Sequence, residues 1–323
     1  MTKAMRVHTP GGVEQMKFED VTVPAPGPGQ VHLRHRAIGV NFIDIYYRTG
    51  QYPAPAPFIL GNEGAGDVVA VGEGVTEFKP GDRVAYAGSL GGYSTERIID
   101  AHFLVKLPDA ISYETAAGMM LKGLTAQYLL RRTYCVQKGD TILVHAAAGG
   151  VGLILCQWGK ALGATVIGTV GSKDKAQLAK EAGADHVILY REEDFAARVK
   201  EITGGKLCHV VYDGVGKTTF PASLDCLRPF GMFASYGSAS GPIEAFNIGL
   251  LAQKGSLYAT RPTLFTHMAD RAVLVEMAAE LMEVVGNGTV KVPVHAHFPL
   301  AEAGRAHTLL EGRETTGAAV LIP

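Results

Sequence analysis

The sequence carries no surplus of charge of either sign. Thirty Lys and Arg stand against 31 Asp and Glu among 323 residues, a formal net charge of −1, and no block of like charge interrupts the balance. This argues against a nucleic-acid partner and against a polybasic anchor at an anionic membrane. No run approaches the roughly 20 apolar residues of a membrane span. The N-terminus, MTKAMRVHTPGG, lacks the apolar core of a signal peptide, so a cytosolic chain without a membrane partner is expected. Cysteine is scarce. Cys135, Cys156, Cys208 and Cys226 are widely spaced with no CxxC, which excludes a disulfide framework and a structural zinc site; they are expected to be reduced and mostly buried. The histidines, including His295 and His297 on one strand face, have no accompanying ligand set and read as satisfied or solvated imidazoles. Internal repeats and low-complexity segments are absent too. What remains is a hydrophobic content of 47% with 19% charged residues, enough for two domains of ordinary size, each with its own core.

The most informative stretch is TILVHAAAGGVGLILCQWGKALG, residues 141–163. Its first four residues are β-branched or apolar and read as a buried parallel strand. Ala146, Gly149 and Gly152 then form AxxGxxG, with Gly150 adding freedom to the turn. From Val151 the apolar residues Ile154, Leu155, Trp158 and Leu162 follow at helical spacing. A glycine turn between strand and helix lets the backbone approach a pyrophosphate, whose charge faces the free N–H groups of the helix start. A second strand follows at 165–170. A NAD site places an acid at the tip of that strand to bind the ribose 2′-hydroxyl. Here the tip is Gly171-Ser172-Lys173-Asp174-Lys175. Two readings stand: the lysines neutralise a 2′-phosphate, which favours NADPH, or they are only a solvated helix start.

Taken in order, the first 107 residues are short alternating runs broken by Gly and Pro, at 5–8, 31–38, 66–71, 83–86 and 93–99, and predict a compact antiparallel β domain. PAPGPGQ at 24–30 and KPGDRV at 79–84 are turns. The pattern becomes helical over 112–132. Strands and helices then alternate, with strands at 141–144, 165–170, 186–189, 208–212, 230–236 and 255–259, the signature of a doubly wound parallel sheet. A helix over 268–287 and short strands near 292–298 and 318–322 return the chain to its first domain.

These segments resemble a known family from end to end. GVNFIDIYYRTGQYP, GNEGAGDVVAVGEGV, GDRVAY, LKGLTAQYLL, HAAAGGVGLILCQWGKALGA, YREEDF, EITGG, VVYDGVG and GSLYATRP are similar to motifs of the zinc-independent quinone oxidoreductases, the ζ-crystallin-like group of the medium-chain dehydrogenase/reductase superfamily. The resemblance implies an α/β protein with a GroES-like β-rich catalytic domain, residues 1–123 and 263–323, and an inserted Rossmann doubly wound parallel sheet domain, residues 124–262. A homodimer is implied as well. Zinc alcohol dehydrogenases share the layout but place a Cys where Asn41 stands and a His where Asn62 stands. Amides are poor zinc ligands beside thiolate and imidazole, and the four-Cys structural lobe is missing, so no metal is expected. Without a Lewis acid, alcohol oxidation loses its means of lowering the hydroxyl pKa, whereas an electrophilic acceptor needs only hydrogen-bond donors for the anion it forms.

The resemblance also implies site residues. Asn41, Asp44, Tyr46 and Tyr52 fall in a loop assigned to the nicotinamide end of the cleft; Asn41 and Tyr46 position nicotinamide or acceptor, and Tyr52 donates to a quinone oxygen. The local alternatives are that the tyrosines are packing residues and that Asp44 caps or braces its loop. Lys122, Thr125 and Tyr128 lie on the segment that faces the nicotinamide, with Lys122 otherwise a surface ion-pair partner. Gly149, Gly150 and Val151 are assigned to the pyrophosphate, and Gly171, Ser172, Lys175 and Tyr190 to the 2′-phosphate. Ser238, Ala239, Thr260, Arg261 and Pro262 flank the nicotinamide, and Arg313 reaches a phosphate. Gly214 departs from close relatives, which have Ser there, so a hydroxyl contact is in doubt. The activity implied is reduction of quinones by NADPH without metal or flavin. An α,β-unsaturated carbonyl is the alternative acceptor; a cofactor-binding, crystallin-like or RNA-binding protein is the alternative from another class.

Overall fold

The computed structural model describes all 323 residues. The chain forms two compact units, one of Met1–Leu124, Met268–Gly286 and Val292–Pro323, the other of Thr125–His267 and Asn287–Lys291.

In the first unit the central strand Gln30–Gly39 pairs with Glu63–Val71 and Glu96–Asp100, and the sheet continues through Arg83–Ala87 to Leu104–Lys106. On its other side Ala318–Ile322 pairs antiparallel with Gln30–Gly39 and parallel with Val294–Pro299. This one parallel pair departs from the expected all-antiparallel domain. Its cause is the connection, since the helix Ala303–Glu311 lies between the two strands and a crossover returns the chain in the same direction. A small sheet of Met16–Val21, Thr2–Val7 and Phe58–Ile59 packs nearby. The stretch expected as one strand over 93–99 divides. Tyr93 N donates to Leu60 O and Thr95 N to Lys3 O, while Glu96–Asp100 joins the larger sheet. The apolar residues Val7, Ile38, Leu60, Tyr93, Ala306 and Leu321 form one continuous core here.

The second unit is a six-stranded parallel sheet in the order His186–Leu189, Thr165–Val170, Thr141–Val144, Cys208–Asp213, Leu227–Ser235 and Tyr258–Thr260. Ile142, Leu143, Val144, Val166, Ile167, Val210 and Val211 are fully buried, which is why these strands read as unbroken apolar runs. The strand order reverses between Thr141–Val144 and Cys208–Asp213, so the crevice at the carboxyl ends opens beside the glycine turn. A Cβ on Gly152 would lie 2.2 Å from Ala146 O, so the helix Gly150–Ala161 reaches its strand only because that side chain is missing.

The helix expected over 112–132 runs as Tyr113–Tyr128 and ends in a π turn, Leu129–Thr133. The residues 41–52, expected as a loop, contain a helix, Phe42–Thr49. Cys156, Cys208 and Cys226 are buried and Cys135 is exposed. Burial pushes the Cys156 and Cys208 thiols up to about 12, and the Cys226 thiol further still. No helix is long and apolar enough to cross a membrane.

Candidate active site

Asn41 precedes the helix Phe42–Thr49, and Asp44 Oδ2 accepts its backbone N–H at 2.9 Å, the returning half of a capping box. Asp44 is wholly buried. Its other bonds come from Asn62 Nδ2 at 2.9 Å and Tyr93 Oη at 3.1 Å. Burial pushes its carboxyl up to about 6, while the bonds from Asn62, Asn41 and Tyr93 and the Lys122 charge pull the other way. Enclosed in this way, Asp44 ties Asn41, Asn62 and Tyr93 together at the start of the helix. Tyr93 Oη continues to His307 Nε2 at 3.0 Å, His307 Nδ1 faces Arg48 Nη1 at 3.5 Å, and Arg48 Nη2 donates to Glu311 at 2.7 Å. Burial and the Arg48 charge hold His307 down at about 3, so the ring is neutral and accepts from the guanidinium on Nδ1. Nε2–H therefore donates to Tyr93, and Tyr93 donates to Asp44.

Glu63 is the second enclosed carboxylate. Its Oε2 accepts from Asn41 Nδ2 at 2.7 Å and from Lys122 Nζ at 3.1 Å, and its Oε1 from Leu121 N at 2.8 Å. Lys122 is thus a buried ion-pair partner rather than a surface one. The two amides at the positions that hold zinc in the alcohol dehydrogenases, Asn41 and Asn62, each turn an NH₂ onto a carboxylate. No group of three or more His, Cys, Asp or Glu side chains gathers elsewhere to hold a metal ion. The approach of Glu63 depends on Gly39, where a Cβ would stand 2.1 Å from Glu63 Oε2 and 2.2 Å from Ala117 O. Tyr46 is buried, and its ring lies 5.3 Å from that of Tyr52, which is half-buried and donates its backbone N–H to Tyr46 O at 3.0 Å. Thr125, three residues beyond Lys122, is buried, and Tyr128 is buried with its ring stacked 4.6 Å from His267.

In the second unit the parallel register gathers the cofactor candidates at one edge. Gly168 pairs with Val144, Val144 with Tyr212, Asp213 with Ser235 and Ala234 with Thr260, so the turns that follow all open at the carboxyl ends of the sheet. At the glycine turn, Ala146 adopts a left-handed backbone with φ 52°. Gly149 precedes the helix but its N–H donates to Ala146 O at 2.8 Å. Gly149 thus closes the turn with its N–H and lines it without a side chain. The N–H groups of Gly150 and Val151 start a helix with no side-chain cap, and they are the donors an anion would meet.

Ser172 caps the helix Lys173–Glu181, accepting from Lys175 N at 3.4 Å, and Lys175 sits in its first turn. Tyr190 is exposed beside them. A Cβ on Gly171 would lie 2.8 Å from Tyr190 Oη and 3.4 Å from Arg191 Nε. This tip fits a 2′-phosphate: it has hydroxyls and cations, no acid at 171 or 172 where the strand ends, and no side chain at 171 to fill the space. Arg191 was not picked out from the sequence, although it stands in the same YREEDF motif as Tyr190.

Gly214, Ser238 and Ala239 come together as well. Ala239 N donates to Gly214 O at 3.1 Å, and Ser240 N to Val215 O at 2.8 Å. A Cβ on Gly214 would meet the Tyr236 ring at 2.9 Å, so a serine at this position would require that ring to move. Asp213, also missed, ties this loop by accepting from Val215 N, Gly216 N and Thr219 Oγ1. Thr260 ends the edge strand, Pro262 follows it, and Arg261 between them donates to Ser235 O at 3.0 Å. Arg313 belongs to the first unit, exposed and left-handed at φ 58° in the turn after Ala303–Glu311. His295 and His297 are exposed and bonded to Thr316 and Glu114.

A GroES-like unit carrying buried polar side chains, joined to a dinucleotide-type parallel sheet, is the architecture of a medium-chain dehydrogenase/reductase. Residues 27–109 match the alcohol dehydrogenase GroES-like domain and residues 150–274 the zinc-binding dehydrogenase model. The chain is 54% identical over 325 residues to a quinone oxidoreductase of Pseudomonas aeruginosa, covering all of both chains. It is 47% identical to a 2-haloacrylate reductase of Burkholderia, covering all of this chain and 99% of that one. The crystal structure of Escherichia coli quinone oxidoreductase complexed with NADPH matches over 100% of both chains with a TM-score of 0.98 and 50% identity. The chain belongs to the quinone oxidoreductase family of the medium-chain dehydrogenase/reductase superfamily.

Proposed function

We propose that this protein is an NADPH-dependent oxidoreductase that reduces quinones without metal or flavin. The observation that carries the reading is the strand tip of Gly171, Ser172, Lys175, Tyr190 and Arg191, which suits a 2′-phosphate, in a chain that matches quinone oxidoreductases over its whole length. The nucleotide-holding set is Gly150 and Val151 for the pyrophosphate, the strand tip for the 2′-phosphate, and Gly214, Ser238, Ala239 and Thr260 for the nicotinamide side. NADPH, when bound, supplies the hydride.

The protein's part is to orient the acceptor and stabilise charge as it develops on the acceptor oxygen. Tyr46 and Tyr52 form an aromatic wall, and the Tyr52 phenol is a donor on its half-buried side. The Burkholderia relative's 2-haloacrylate activity favours a second acceptor class, α,β-unsaturated carbonyls, since an enolate oxygen needs the same donors as a hydroquinone oxygen. NADPH oxidation measured across 1,4-benzoquinone, 2-cyclohexenone and a simple alcohol/ketone pair tests this. Turnover of the quinone is expected, and turnover of the alcohol with none of the quinone overturns it.

A cytosolic homodimer is part of the same reading. The edge strand Tyr258–Thr260 has no partner on its outer side in the sheet order, and Tyr258 and Ile248 are exposed, which supports pairing with a second copy. Sedimentation of the purified chain as a monomer at micromolar concentration would contradict it.

A further inference from the structure

The pair formed by Lys122 and Glu63 is a costly device if stability is its only purpose. Replacing a buried ion pair by apolar residues of similar volume is often neutral or stabilising. Yet here an ammonium shares a carboxylate oxygen with Asn41, one of the two amides at the zinc-ligand positions of related dehydrogenases, and that carboxylate is fixed by three donors and by the vacancy at Gly39. The pair is also asymmetric. Glu63 is sealed at 0% side-chain exposure, whereas Lys122 keeps 8%, so of the two the lysine alone retains accessible surface. Nζ has three protons, and Glu63 Oε2 takes one of them.

We propose that Lys122, aligned by Glu63 and Asn41, is the electrophile of this site: it bonds the acceptor oxygen as negative charge develops there and then gives it a proton. Glu63 is the positioning residue. The proposal rests on the oxidoreductase reading above. When a hydride adds to a quinone, the ring gains two electrons and one hydrogen and leaves a hydroquinone monoanion. An N–H bond of Lys122 then breaks as the O–H bond of the hydroquinone forms, and the neutral amine recovers its proton from solvent. With an enone the hydride goes to the β-carbon, and the same N–H protonates or holds the enolate oxygen. The ammonium supplies positive charge at the acceptor oxygen, the task that a Lewis acid performs in a metal site.

Lys122→Met, which keeps an unbranched side chain one atom shorter and removes the charge, tests the assignment. With saturating NADPH and varied 1,4-benzoquinone, kcat is expected to fall roughly 100-fold, in the range of a lost general acid. NADPH affinity, read by fluorescence titration, should stay within about twofold, and methylamine should restore activity in a saturable way. Lys122→Met leaves Glu63 buried and unpaired and so can fail to fold; the double variant Lys122→Met/Glu63→Gln removes both charges of the pair and should show the same loss and the same rescue. A folded variant that turns over within about threefold of the parent, or a loss that amines do not restore, overturns the proposal.

A second measurement needs neither nucleotide nor turnover. 4-Nitrophenol, an oxyanion probe, should ionise at lower pH with the parent than when free in solution, and not with Lys122→Met. An identical titration in both proteins also overturns the proposal. Failure of the parent to reduce any quinone or enone would instead remove the oxidoreductase reading, and the phenol titration would still judge the pair.

Discussion

The two polar regions of this molecule are built on opposite plans. In the first unit the polar side chains answer one another: Asn41, Glu63 and Lys122 form one linked set, and Asn62, Asp44, Tyr93, His307, Arg48 and Glu311 another, joined to the first where Asn41 N donates to Asp44. At the strand ends of the second unit the donors are backbone N–H groups and side chains on an exposed rim, around glycines that leave space. Under the proposed function, the region that would face a small acceptor is fixed in advance, and the region that would grip a large, charged nucleotide is left open. Changes in the first should therefore disturb folding and rate together, and changes in the second should disturb affinity alone.

The sharpest way to break that contrast is at Gly39. The Cβ of Gly39→Ala would drive into both Glu63 Oε2 and Ala117 O, one of them main chain, so the cost should be about 3 kcal/mol of stability in urea unfolding. A variant as stable as the parent would show that the first site is not fixed in advance. Next in size is Lys175→Ala, which should weaken NADPH by roughly 1.5–3 kcal/mol in titration calorimetry and leave NADH nearly unchanged. Equal affinities of the parent for the two nucleotides would remove the strand tip from the argument. Tyr52→Phe comes third. Loss of one donor to a developing oxyanion is worth roughly 1–3 kcal/mol, about ten- to a hundredfold in kcat, with NADPH affinity unmoved. A large isotope effect with C4-deuterated NADPH, together with parent-like turnover, would reduce Tyr52 to a packing residue.

The smallest effect concerns Asp44. Because its carboxyl is raised to about 6, its contribution to stability is fully present below its ordinary titration range near 3.8 and is lost as pH rises through 6. The parent should gain about 1 kcal/mol relative to Asp44→Asn between pH 8 and pH 5. Unfolding both proteins at the two pH values cancels the opposing titration of His35 and His307, each held down at about 3 by burial and a nearby arginine. A difference that does not change with pH would mean that Asp44 is not enclosed as described.

The parallel sheet was legible in the sequence because strands covered on both faces must be apolar throughout, and because the glycine turn marks where the first helix starts. The helix Phe42–Thr49 was not read, although Asn41 and Asp44 stood at the two ends of a capping box, because its aromatic and β-branched residues favour strand or loop. Glu63 went unnoticed beside Asn62, where attention fell on the missing metal ligand. Tyr93 and His307 meet across 214 positions of sequence, a contact that no local pattern announces. Arg191 was hidden by its ordinariness, as an arginine after a strand is usually only a solvated side chain. Motifs marked the glycine turn and the strand tip; the linked polar sets of the first unit needed the tertiary fold.

Quinones and enones alkylate thiols, and it is the thiolate that they attack. Three of the four cysteines lie inside the second unit with their thiols held protonated, Cys156 and Cys208 at about 12 and Cys226 higher. Packing that arises simply from small apolar side chains thus gives the protein resistance to arylation by its own substrates. Cys135, exposed in the turn after Arg131, lacks that shelter, and it is the position where a long incubation with benzoquinone would leave its adduct.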